Sequence, residues 1–278
     1  MNRILVHNDL SDLSLYSFEI ASRIATQCSA KIIVVGVVPA PLNAKFDTKG
    51  DIKMGEGLDY TDLAVAKNEL QQKLEKWAKQ HSIVEEVIVK VGHFENVVVR
   101  YANEYDVDMI ALGIPDMHGV GGNLIDSNAQ RLVRSAPMPV LTLKCDRSGY
   151  ELTDLLLVSD FSKPEKLNLG LIHELVNCMN LTVHLLTVST PKHFVTTLEG
   201  KAQMERFAAL NQLEHVKLHV YSDRSVEKGI ADFSVETGID FVAIGTHQRT
   251  GVSRVLKGGS IAEDVVNHLY QPILTFQL

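Results

Sequence analysis

Residues 4–14, ILVHNDLSDLS, and residues 155–165, LLLVSDFSKPE, decide the fold. Each is a short apolar run that ends in a polar turn containing an aspartate and leads into a segment of helical period. Short apolar runs bounded by turn residues read as strands buried on both faces. The same order of elements continues outward from each run. In the first half, a helix over residues 12–27 places Leu13, Tyr16, Ile20 and Ile24 on one face. In the second, a helix over residues 164–178 is expected, with Pro164 in the first turn, where its missing N–H has no partner to lose. Second strands follow at 31–38 and 182–188. Helices come next at 60–80, where Leu63, Leu70, Leu74 and Trp77 keep helical spacing, and at 199–212. Third strands at 87–91 and 216–221, helices at 95–104 and 226–236, and fourth strands at 109–112 and 241–244 complete the parallel. Both fourth strands run into glycine, at Gly113 and Gly245. Each half closes with a loop, a helix and a fifth strand, at 139–143 and 272–276.

Strands and helices in strict alternation, with nearly continuous apolar strands, are the pattern of a parallel sheet covered on both faces. The fold class expected is α/β: two tandem doubly wound parallel-sheet domains, residues 1–146 and 151–278, joined by the polar stretch 145–150. In such sheets ligands sit beyond the carboxyl ends of the strands, where the strand order switches. That rule selects the residues after strands one and four of each half. The fifth strands, VLTL and ILTF, are apolar edges that invite pairing.

The 278 residues are 45% hydrophobic and 22% charged, with a formal net charge of −7. An acidic surface repels phosphate backbones and anionic lipid, so neither nucleic acid nor membrane is an expected partner. Arg3 opens an apolar strand directly after Met1-Asn2, which gives no signal-peptide pattern, and a cytoplasmic location is expected. Cys28, Cys145 and Cys178 are far apart and form no C-x-x-C pair. They argue against a zinc ribbon or a disulfide framework and fit a reducing compartment.

After the fourth strand of the second half the chain reads GTHQRTGVSRVLKGGSI, residues 245–261. Gly258-Gly259-Ser260 opens a helix-period segment with Ile261, Val265, Val266 and Leu269 on one face. A helix start offers free N–H groups and the positive end of its dipole, which suits an anion. Ser260 adds a hydroxyl, and Arg249 or Lys257 adds charge. The same residues also describe a plain strand-to-helix loop with Ser260 as N-cap. His247, directly after the strand, is the best single histidine for ligand contact.

Residues 245–276, together with the two opening runs, resemble the universal stress protein family over nearly the whole chain. The resemblance implies a five-stranded parallel sheet per domain, of the adenine nucleotide alpha hydrolase type. It implies an adenine nucleotide, ATP or AMP, with Mg carried by the phosphates, on the motif G-x2-G-x9-G-[S/T]. Carried over, Asp160 matches the adenine-side acid, Val188 lies near the second-strand position, and Gly245, Gly259, Ser260 and Ile261 match the ribose and phosphate cradle. The second motif glycine is Gln248 here, and ten residues rather than nine separate it from Gly259. In the first half Asp116 and Asp126 replace the second and third glycines. A carboxylate about 4 Å from a phosphate charge costs roughly 4 kcal/mol at an effective dielectric of about 20. The first half is therefore expected to have lost ATP although Asp9 survives. The resemblance also implies pairing of domains through their last strands, here within one chain, with a homodimer of two chains a further option.

Other chemistries find no scaffold. The turns after the first strands lack glycine, which removes the dinucleotide fingerprint, and no G-x-x-x-x-G-K-[ST] occurs. His7, His93, His118 and His247 form no H-x3-H or H-E-x-x-H pair, so metal ligation is not expected. No nucleophile elbow or placed general base is present. The reading is a binding or sensing protein rather than an enzyme, with an unidentified protein partner; the alternatives are a nucleotide-free interaction scaffold and a weak ATP hydrolase. Residues 49–59, KGDIKMGEGLD, are expected to form a mobile loop.

Overall fold

The computed structural model describes residues 1–41, 44–47, 52, 61–115, 128–147, 149–159, 161–162, 166–239, 241–246 and 269–277. The first half contributes β1 (Arg3–His7), α1 (Asp12–Gln27), β2 (Lys31–Pro39), α2 (Thr61–Ala78), β3 (Val84–Gly92), α3 (Phe94–Glu104), β4 (Met109–Gly113), α4 (Asn128–Ser135) and β5 (Val140–Leu143). The second contributes β6 (Asp154–Val158), α5 (Gly170–Met179), β7 (Thr182–Ser189), α6 (Thr197–Leu210), β8 (Lys217–Ser222), α7 (Val226–Thr237), β9 (Phe241–Thr246) and β10 (Ile273–Gln277). Of the expected 49–59 loop, Ile52 alone is among the described residues, where it bridges to Phe46, and the helix expected before β10 lies outside them.

Local chemistry sets the helix starts. Ser11, Thr196 and Ser225 are N-caps of α1, α6 and α7, and each accepts a hydrogen bond from the backbone N–H three residues on. The start of α5 departs from the sequence expectation. Residues 166–169 are not helical, and the helix begins at Gly170 rather than near Pro164. The cause is a tertiary contact: Leu167 donates its N–H to Asn211 Oδ1 at 2.8 Å, and the His173 ring meets the Asn211 carbonyl at 2.9 Å. Leu169 is buried in the same place. Docking onto the end of α6 overrides the helical period of the stretch.

The ten strands form one sheet in the order β3-β2-β1-β4-β5-β10-β9-β6-β7-β8. Every neighbouring pair is parallel except the central one. There β5 and β10 run antiparallel, with Ile273 opposite Thr142, Leu274 opposite Leu141 and Thr275 opposite Val140. The Thr142 hydroxyl donates to the Ile273 carbonyl at 3.3 Å, and the Thr275 hydroxyl donates to the Val140 carbonyl at 3.2 Å. The apolar fifth strands therefore cover each other, and the two repeats meet about an approximate two-fold at Leu141 and Leu274. One apolar core lies under α1, α2, α5 and α6 on one face, the other under α3, α4 and α7 on the opposite face. Both run through the two halves without a break.

The cysteines overturn their sequence reading. Cys28, at the C-cap of α1, and Cys178, in the last turn of α5, are disulfide-bonded with their Cα atoms 5.0 Å apart and a sequence separation of 150. Spacing along the chain could not show this, because the two-fold relation of the repeats brings equivalent helix ends together. Cys145 is free and half-buried.

The seam makes a direct stability prediction. Leu141 and Leu274 are fully buried and opposed, so truncating either to alanine should destabilise the whole chain by about 2–5 kcal/mol. The double variant should depart from additivity, because the two residues share one contact region. Leu198→Ala, at a position 83% exposed, is the control and should shift stability by no more than about 0.5 kcal/mol. Urea unfolding midpoints read all four proteins. Near-neutral Leu141→Ala and Leu274→Ala variants would rule out this packing.

Candidate functional site

In each half the chain reverses its direction of travel across the sheet after the third strand, so the switch in strand order lies between β1 and β4 and again between β6 and β9. Register fixes the level of the second switch: Val158 is paired with Leu186 on one side and Ile244 on the other. Gly245 and Val188 lie one and two positions further toward the carboxyl ends. Of the site residues read from the sequence, these two are among the described residues. Asp160, His247, Gly258, Gly259, Ser260 and Ile261 lie outside them, as do Asp116, His118, Asp126 and Gln248.

Val188 is buried, and its side chain turns to α7, where Gly229 makes room for it. A Cβ on Gly229 would stand 2.5 Å from Val188 Cγ1. The residue before it, Thr187, holds a buried hydroxyl without a partner among the described residues. A hydrogen-bonding group is thus left over near the end of the second strand.

At the first switch most of the described polar groups are engaged locally. Ser11 donates both its N–H, at 3.0 Å, and its hydroxyl, at 2.6 Å, to Asp9 Oδ1. Burial pushes the Asp9 carboxyl up, but the two Ser11 bonds, the nearby His7 and Ser14 outweigh it and hold the group below its ordinary value. Asn8 is fully buried. Its Oδ1 accepts from the Leu10 N–H at 2.7 Å and from the Ser14 hydroxyl at 3.0 Å, while its Nδ2 has no partner among the described residues. These bonds hold Leu10 at a φ of 65°, in the left-handed region. Gly113 has a packing role: a Cβ there would lie 2.3 Å from the Leu13 carbonyl oxygen, so β4 and the first turn of α1 can meet only through glycine. His7 packs edge-on to Phe94, and His93 edge-on to Phe46.

One polar chain escaped the sequence reading. Asp154, His184 and His219 sit on three neighbouring strands, β6, β7 and β8, on the face covered by α7. Asp154 Oδ1 lies 2.9 Å from His184 Nε2, and His184 Nδ1 lies 3.1 Å from His219 Nε2. The rings are nearly parallel, and His219 also packs on Phe233. Burial is the largest influence on both histidines and pushes them down. For His184, Asp154 opposes it; for His219, the charge of His184 adds to it. Burial pushes Asp154 up, but hydrogen bonds from Thr153 and His184 hold it below its ordinary value. With both rings neutral, each donates one proton along the chain toward the carboxylate. The signal available in the sequence was one polar residue of matching parity in each of three apolar strands. The chain lies near the amino ends of its strands, away from the cleft, and no cluster fit to hold a metal occurs among the described residues.

A largely parallel sheet in two repeated halves, each with a switch in strand order, makes this a tandem doubly wound α/β protein. The description "Universal stress protein family" matches residues 1–144 and 155–277, and the chain belongs to that family. A universal stress protein of Methanocaldococcus jannaschii is 25% identical over 148 residues, which cover 51% of this chain and 81% of that one. A universal stress protein from Archaeoglobus fulgidus has a crystal structure similar over 99% of this chain and 98% of its own, with a TM-score of 0.72 at 18% identity. A functionally unknown protein from Pseudomonas aeruginosa follows at a TM-score of 0.59 and 18% identity, covering 100% and 92%. At such identities the structures speak for the fold. Membership of the family supports a role in the stress response.

The histidines make acid the sensitive direction. His7, like His184 and His219, is pushed below the ordinary value of 6.5, chiefly by burial, with Asp9 opposing. The unfolded chain then binds more protons than the folded one between the two sets of values, so stability falls as pH drops below about 6.5 and levels off once the folded-state rings are protonated. Urea midpoints at about pH 7.5 and about pH 5.5 should show this loss, and His219→Phe, which keeps the packing on Phe233, should reduce it. Equal acid sensitivity in the two proteins would remove the histidine chain as a contributor.

Proposed function

We propose that this chain is a cytoplasmic stress-response regulator whose second half binds ATP or a related adenine nucleotide and whose first half does not. The observation that carries the reading is the register at the second switch, where β6 ends at Val158 level with Ile244 and β9 runs on through Gly245 toward the glycine-rich run. Asp160 and the backbone near Val188 hold the adenine. Gly245 and His247 face the ribose. The N–H groups of Gly258, Gly259 and Ile261, with the Ser260 hydroxyl, hold the phosphates, and Mg comes with the nucleotide. Binding changes the surface offered to a protein partner. Any hydrolysis is slow and incidental, because the sequence motif places no general base. A second chain would associate through surfaces other than β5 and β10, which already cover each other. No described helix is long and apolar enough to cross a membrane.

A nucleotide-free interaction scaffold is the second reading. It is favoured by Gln248 in place of the motif's second glycine and by the extra residue before Gly259.

Thermal unfolding with and without millimolar ATP and magnesium separates the two. At about 100 times the dissociation constant, a ligand adds about 2.7 kcal/mol to the species that binds it. The nucleotide reading expects an upward shift, larger in Gln248→Gly and absent in Asp160→Ala or Ser260→Ala. No shift in either the parent or Gln248→Gly would leave the scaffold.

A further inference from the structure

We infer that Cys28 and Cys178 form a reversible dithiol–disulfide site that takes a small-molecule disulfide such as glutathione disulfide as its oxidant and clasps α1 to α5. The site stands apart from the nucleotide reading. Four observations carry it. First, the sulfurs belong to equivalent helix ends of different halves, so the bond crosses the two-fold rather than stapling a loop within one half. Second, the halves are already joined by the β5–β10 ladder and by two continuous cores, so breaking the bond leaves the fold supported. Third, both cysteines are half-buried rather than fully buried, the exposure that approach of a small thiol or disulfide requires. Fourth, the backbone beneath them is rigidly seated: the Cys28 N–H donates to the Ile24 carbonyl at 2.9 Å, and Ile24, Ala25, Ile172 and Leu175 are buried. With the Cα atoms held 5.0 Å apart, two separated thiols meet again without a search.

The chemistry balances in two exchanges. A thiolate at Cys28 attacks one sulfur of glutathione disulfide, forms a mixed disulfide and releases one glutathione thiolate. The Cys178 thiolate then attacks the Cys28 sulfur of that mixed disulfide, forms the intramolecular bond and releases the second. The protein loses two electrons and two protons, and one glutathione disulfide becomes two glutathione molecules. Both sulfurs sit at the carbonyl ends of helices, where negative charge is unfavourable, so the first attack is slow. The second step is intramolecular between fixed groups and is fast by comparison, so the mixed disulfide does not accumulate. Cys145 has no such partner and supplies the internal control.

The test equilibrates the full chain, without oxygen, in buffers of graded glutathione disulfide to glutathione ratio. Acid quenching, alkylation of free thiols and peptide mapping by mass spectrometry follow. The wild-type chain and Cys145→Ser should lose two alkylatable thiols in one step, with a peptide linking Cys28 to Cys178. Excess reduced glutathione should restore both thiols while the tertiary circular-dichroism signal is kept. In Cys28→Ser and Cys178→Ser, the remaining cysteine should take up glutathione only in buffers at least about tenfold more oxidising. Absence of the linked peptide at every ratio, a link found only between two chains, or a link that survives excess reduced glutathione in the folded protein would each overturn the proposal.

Discussion

The antiparallel ladder between β5 and β10 is the constraint from which the rest of the molecule follows. Each of these strands is apolar on both faces, and an edge of that kind leaves a row of peptide groups without partners in an apolar setting. Here each strand supplies the other's missing ladder, and the Thr142 and Thr275 hydroxyls are satisfied by carbonyls across the seam. Once the two repeats are joined in this way, their helices fall on common faces, their cores merge, and the helices α1 and α5 come into contact. The placement of both clefts, at opposite arms of one sheet, is a consequence of the same pairing.

Much of this was legible in the sequence, because buried parallel strands announce themselves by unbroken apolar runs. The bounds of α1 agree with the expectation residue for residue, and the expected pairing of fifth strands is present. Where the reading failed, a non-local contact had overridden a local pattern. Helical period and Pro164 pointed to an early start for α5, whereas Asn211, more than forty residues on, holds Leu167 out of the helix. Cys28 and Cys178 looked isolated because only the relation between repeats brings them together. The Asp154–His184–His219 chain was invisible for a similar reason: its members meet only when three strands are laid side by side. The candidate site was legible as a motif and as a strand-order switch. Most of the side chains assigned to it lie outside the described residues, so Val188 and Gly245 are the two that the structure locates.

The two halves share a plan but have committed their polar groups differently. In the first, Asp9 is tied by Ser11 into the cap of α1, and Gly113 serves the contact with Leu13. The aspartate that the sequence resemblance pointed to is here a structural element of its own turn. In the second, the distinctive polar chain lies at the opposite end of the sheet from the cleft, where it links three strands. The outermost strands carry charge suited to solvent: Glu85 and Glu86 on β3, and Lys217 on β8. The sheet thus closes its apolar edges inward and leaves its charged ones outside.

Covalent continuity across the β5–β10 seam also has an evolutionary meaning. Two separate subunits that meet through an identical strand must stay alike, and their pairing weakens on dilution. Within one polypeptide the stoichiometry is fixed at one to one, at any concentration, and each repeat always meets the other rather than its own twin. Selection is then free to remodel one cleft while the other is kept, because assembly no longer demands that the two sequences match.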